Sequence, residues 1–110
     1  MRDVNAWLRD MQDATDRILK HTGQGRAAFN NDEFLQVWII HHLELIGEAA
    51  RAIPREFKDR HPEIPWRSIN GMRNLLIHHY FEVDLEAVWA VVEHDLQPLK
   101  MSLDKFLGES

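Results

Sequence analysis

The chain contains no cysteine, which excludes disulfides and thiolate metal sites. No apolar run is long enough to cross a bilayer, and the polar N-terminus has no apolar core of a secretory signal. These absences point to a cytoplasmic protein in a reducing compartment, without a membrane partner. Internal repeats, low-complexity tracts and the alternating pattern of strands are also missing. Basic residues are the minority, 13 Lys and Arg against 18 Asp and Glu, for a net charge of -5. That balance argues against wholesale coating of nucleic acid. What is present is a soluble globular mix, 45% hydrophobic and 28% charged. In 110 residues it is enough for a single domain, residues 1–110, with one modest core.

The charge is unevenly distributed. Residues 51–79 carry six cations (Arg51, Arg55, Lys58, Arg60, Arg67, Arg73) against three acids (Glu56, Asp59, Glu63). This local excess of +3 leaves -8 for the rest of the chain. Such a patch can hold a phosphate backbone, or it can be an ordinary solvated surface.

The apolar spacing is helical throughout. Val4, Trp7, Leu8, Met11, Ala14 and Ile18 predict a first helix over residues 3–21, capped by Asp3. Residues 22–31 read as a polar connector. A second helix runs from Asp32, its cap, to Ile53, where Pro54 stops it. Gly47 in its middle costs about 1 kcal/mol relative to Ala, and a close helix crossing is the ordinary explanation. Residues 54–64 form a basic connector with one helical turn near Arg55 to Asp59. A third helix begins near Pro65, with Gly71 again allowing close approach. A fourth, capped by Asp84, carries Leu85, Val88, Trp89, Val92, Leu96, Leu99, Leu103 and Phe106, kinked near Asp95 by Pro98. The expected fold is all-α, an antiparallel four-helix bundle with a short additional helical turn.

The third helix carries an unusual polar set: Arg73, Asn74, His78, His79 and Tyr80 within eight residues. Asn74 and His78 share a face at i,i+4. Arg73 and His78 are separated by roughly 140° and about 7.5 Å of rise. Tyr80 nearly returns to the angle of Arg73, about two turns on. A segment used only for packing has little need of such a set.

The pattern Arg73-Asn74-x-x-x-His78-x-Tyr80 resembles the Arg-x4-His-x-Tyr motif of the HEPN superfamily in its HepT-like toxins. The resemblance extends to Ile46-Gly47-Glu48-Ala49-Ala50 before the motif, to Pro65-Trp66 entering it, and to Val83-Asp84-Leu85-x-x-Val88-Trp89 after it. It covers roughly residues 3–105. It implies a HEPN-type bundle that forms a homodimer and acts as a metal-independent ribonuclease leaving a 2′,3′-cyclic phosphate. It also implies a minimal nucleotidyltransferase antitoxin as partner, which silences the toxin by adenylylating Tyr80. His79 departs from the family pattern, where a small residue is expected. It either crowds the site or adds a second imidazole.

The side chains suit that chemistry. Cleaving RNA without a metal needs a group to take the 2′-OH proton, one to protonate the leaving 5′-oxygen, and positive charge on the phosphorane. RNA, not DNA, is the substrate that the resemblance implies. His78 suits either proton-transfer role and Arg73 the charge. Asn74 can orient His78 or bind a phosphate oxygen, and Tyr80 can donate to phosphate or stack on a base. Glu48 supports as the carboxylate within reach of Arg73. One helix supplies too few groups, and a two-fold dimer would bring two motifs into one cleft.

Blander readings stand beside these. Arg73 alone is most simply a salt-bridge partner of Glu48. His41, His42, Glu44 and Glu48 invite a metal site with His78 and His79, yet the Glu-x-x-His pairs of a di-iron bundle are absent, so neither metal nor cofactor is expected. A non-catalytic accessory subunit of a nucleotidyltransferase is the alternative function. A dimerisation module with Trp38 and Trp89 in its apolar seam is a third.

Overall fold

The computed structural model describes residues 2–78 and 84–108, residues 77 and 78 through their backbone alone. Those residues form seven helices and no strand: α1 (Val4–Lys20), α2 (Arg26–Asn30), α3 (Glu33–Ala52), α4 (Arg55–Arg60), α5 (Trp66–His78), α6 (Leu85–His94) and α7 (Leu96–Gly108). The fold is all-α, with the long segments α1, α3, α5 and α6–α7 as the expected bundle. α3 is its centre, packing on α1 to one side and α5 to the other, while α7 lies on α1 and α6 meets α5.

The helix starts are set by the anticipated caps. Asp3 accepts from the Asn5 backbone N–H, Asp32 from Leu35, and Asp84 from both Glu86 and Ala87. Pro54 follows Ile53 at the end of α3. The core is the predicted apolar stripes meeting: Leu8, Met11 and Ile18 from α1, Ile39, Leu43 and Ile46 from α3, Ile69 and Met72 from α5, Val88 from α6, and Leu99 and Leu103 from α7. Each such side chain contributes about 1.5–3 kcal/mol on leaving water.

Three features differ from the sequence expectation. The connector at 22–31 contains α2. Gly25 enters it at φ 90°, a backbone setting that favours glycine. Phe29 is fully buried and lies 5.2 Å from Trp89 between ring centroids. Gln36 Nε2 donates to the carbonyls of Phe29 and Asn30, closing the end of this short helix. Second, the final helix is not merely kinked but divides at Asp95 into α6 and α7. Pro98 has no N–H to offer the carbonyl four residues back, and its ring crowds that turn. Third, Gly71 is exposed, and a methyl group there would meet nothing within 4 Å, so it serves no close crossing.

α4 was anticipated as a single turn and spans Arg55–Arg60. It is pinned by Phe57, which packs edge-on against Phe106, and by the Trp66 indole N–H, which donates to the His61 carbonyl at 3.0 Å. Among the described residues no helix is long and apolar enough to cross a membrane.

Candidate functional site

α5 carries the polar set along its second half. Met72 faces the core, Arg73 is half-buried and Asn74 is exposed. His78 is the last residue of α5, four positions after Asn74 and five after Arg73. His79 and Tyr80 lie outside the described residues.

Arg73 is the best-defined member. Its aliphatic stem lies against α3 at Gly47: a Cβ placed on that glycine would stand 3.3 Å from Arg73 Cβ, 3.4 Å from Cγ and 3.5 Å from Cδ. The mid-helix glycine therefore does mark a close crossing, as its position suggested. The residue it admits is a cation rather than an apolar side chain. Beyond the stem, Arg73 Nε is enclosed and has no hydrogen-bond partner among the described residues. Leaving such a donor unmade costs about 1–3 kcal/mol.

The expected pairing of Arg73 with Glu48 is not made. Among the described residues no ion pair involves either side chain. Adjacent helical positions point about 100° apart, so with Gly47 under Arg73 the next residue turns away. Glu48 instead borders a groove of about 280 Å³ towards α1, shared with Trp7, Asp10, Asp13, Arg17, His42 and Leu45.

The α3 histidines separate. His41 is exposed. His42 is 5% exposed, with Nδ1 at 2.7 Å from the Trp38 carbonyl and its ring 4.0 Å from the Trp38 ring. This places His42 in the packing. Among the described residues no three His, Asp or Glu side chains converge as metal ligands. The tryptophan seam dissolves likewise: Trp89 is buried against Phe29 and donates to Glu93 at 2.8 Å, while Trp38 is half-buried between His21 and His42.

The basic segment leading to α5 stays open. Arg51, Arg55, Arg60 and Arg67 are exposed, and none forms an ion pair among the described residues. Lys58 lies 5.6 Å from the Trp66 ring centre. Burial, and then the nearby Arg55 charge, hold its ammonium below the usual lysine range.

A family model described as Ribonuclease HepT-like matches residues 11–106. The chain belongs to the ribonuclease HepT-like family. It is 40% identical over 107 residues to a protein of Thermococcus cleftensis named probable ribonuclease HepT, covering 94% of this chain and 96% of that one. Two proteins of Methanocaldococcus jannaschii that carry the name putative RNase are each 34% identical to it. One match spans 104 residues, 94% of this chain and 95% of the relative; the other spans 109 residues, 98% and 94%. No solved structure matches. This HepT-like chain thus has the bundle and the family that the motif and its flanks implied. What sequence reasoning missed is the contact between Arg73 and Gly47. Both residues stood in the quoted stretches, and only the helix crossing joins them.

Proposed function

We propose that this chain is a metal-independent endoribonuclease whose reacting groups are Arg73 and His78. One imidazole takes the proton of an RNA 2′-OH, and the 2′-oxygen attacks the adjacent phosphorus. The 5′-oxygen leaves with a proton from a second acid, giving a 2′,3′-cyclic phosphate and a free 5′-OH. The guanidinium offers its planar donors to the phosphorane oxygens as their charge grows. Asn74 orients His78 or holds a further phosphate oxygen, and His79 and Tyr80 act as supporting residues, the phenol donating to phosphate or stacking on a base. Two chains related by a two-fold axis, with their motif helices near it, supply both the acid and the base.

The observation that carries this reading is the state of Arg73. In a chain of a ribonuclease family, a half-buried guanidinium that has no carboxylate partner among the described residues is suited to receive an anion. The unpaired cations of residues 51–67 favour the same kind of partner.

In this reading the protein is the cytoplasmic toxin of a toxin–antitoxin pair. A minimal nucleotidyltransferase transfers AMP from ATP to the Tyr80 hydroxyl with release of pyrophosphate. The added phosphate pairs with Arg73 and occupies the place of the scissile group.

The test is cleavage of RNA by purified protein with and without EDTA. Arg73→Ala and His78→Ala should each lower the rate by about two to four orders of magnitude while remaining folded. Inhibition by EDTA, or wild-type rates in both variants, would refute the mechanism. A folded wild-type dimer that binds RNA without cutting it would make the accessory-subunit function the better account.

A further inference from the structure

Gly47 sits on α3 where an added side chain would press on the stem of Arg73. The approach is tight. A methyl at 3.3 Å from Arg73 Cβ is closer than such groups ordinarily pack, and two more stem carbons follow at 3.4 and 3.5 Å. Three consecutive carbons of one arginine thus rest on bare helix backbone. The next atom, Nε, is enclosed with no partner to hold it. No hydrogen bond or ion pair therefore sets the direction of this side chain among the described residues. Arginine stems normally run outward so that the head stays in water. Here contact at Cβ, Cγ and Cδ determines the torsions that aim the guanidinium.

We infer that Gly47 is a positioning residue for Arg73, a floor on α3 that sets where the guanidinium stands relative to the bound phosphate. This rests on the proposed role of Arg73. The glycine touches neither substrate nor reacting atoms, and acts only through the arginine it supports. A glycine in mid-helix weakens α3, and the three atoms nearest the space it opens all belong to Arg73. Adding one methyl displaces the stem by a few tenths of an ångström, and rotation about the remaining bonds enlarges that shift at the terminal nitrogens. Misplacement on the scale of 1 Å at a reacting group costs about a hundredfold in rate.

The experiment is Gly47→Ala in the full chain, assayed by single-turnover cleavage of end-labelled total cellular RNA. The maximal rate should fall about 10- to 100-fold, and the protein concentration at half-maximal rate should change by less than about twofold. The melting temperature should hold or rise, because alanine is the better helix former. A merely structural glycine predicts the reverse, lost melting temperature with the intrinsic rate of the folded fraction intact, and that result would overturn the inference. An unchanged rate in a folded variant would overturn it as well. A second measurement covers misfolding. The same substitution made in Arg73→Ala keeps the contact at Cβ but loses those at Cγ and Cδ, so it should raise the melting temperature more than it does in the wild type. Equal changes in both backgrounds would mean that the stem beyond Cβ does not press on position 47, and would overturn the inference. Full activity of Arg73→Ala alone would sink the role of the arginine itself, and it is seen without any change at Gly47, so the two failures are told apart.

Discussion

Lys100 Nζ donates to Asp16 Oδ1 at 2.8 Å, fastening α7 to α1. The same ammonium donates to Asp104 at 2.8 Å, and Gln12 Nε2 donates to the other oxygen of that carboxylate. Hydrogen bonds from Lys100 and then Gln12 hold the Asp104 carboxyl below the usual range. Those to Asp104 and Asp16 hold the Lys100 ammonium above its own. A depressed carboxylate contributes stability above its unfolded pKa, lost as pH falls through the folded value. A raised ammonium contributes below its unfolded pKa, lost as pH rises through the folded value. The clasp is therefore intact at neutral pH. Its side chains are between a third and half exposed, so Lys100→Met should cost only about 0.5–1 kcal/mol. Urea titrations at pH 7 and pH 3 check this. The penalty should shrink at the lower pH, and an equal penalty at both would mean packing rather than charge.

Arg73→Met should separate stability from activity. The substitution keeps an unbranched stem on Gly47 and removes the enclosed, unpaired nitrogen. Stability should be unchanged or higher by about 1 kcal/mol, since burying an unsatisfied donor is unfavourable. RNA cleavage should fall by about two to four orders of magnitude. Denaturant midpoints measured beside the cleavage rate decide it, and a large loss of stability would show that the guanidinium has a structural partner.

Activity should require the dimer. Light scattering at micromolar concentration should give twice the chain mass, and the rate per chain should fall on dilution through the dissociation range. A monomer with full activity would remove the argument that one motif supplies too few groups. α3 exposes Phe34, Val37 and Leu45, an apolar strip that invites glutamate substitutions alongside substitutions on α5.

Under the proposed function, co-expression with a minimal nucleotidyltransferase partner should leave adenylyl mass on the Tyr80 peptide. Tyr80→Phe should prevent modification at that position. Mass spectrometry of the neutralised toxin checks both, and an unmodified Tyr80 in a silenced protein would favour simple occlusion of the cleft.

Much of the fold was legible because its signals are local. Asp3, Asp32 and Asp84 each cap the helix they precede, and Pro54 ends α3 as its missing donor requires. α2 was not legible because Phe29 is the one large apolar residue in a polar stretch, and its burial depends on Trp89, sixty residues away in the chain. The division at Asp95 was half legible: Pro98 announces a distortion but not that it separates two helices. In the candidate site the residue types were readable on one helix. Their environment was not. Whether Arg73 meets Glu48 or Gly47 depends on the rotation of α3 about its axis, a property of the assembled core.

The division at Asp95 also has a mechanical meaning. A continuous rod from Leu85 to Gly108 would carry any tilt of its first half into its second. With the rod cut, α6 keeps its packing on α7 yet also reaches α5 and α2, while α7 lies along α1 and is tied there by Lys100. One bend thus lets a single stretch of chain serve two walls of the bundle, the wall of the motif helix and the wall of the N-terminal helix.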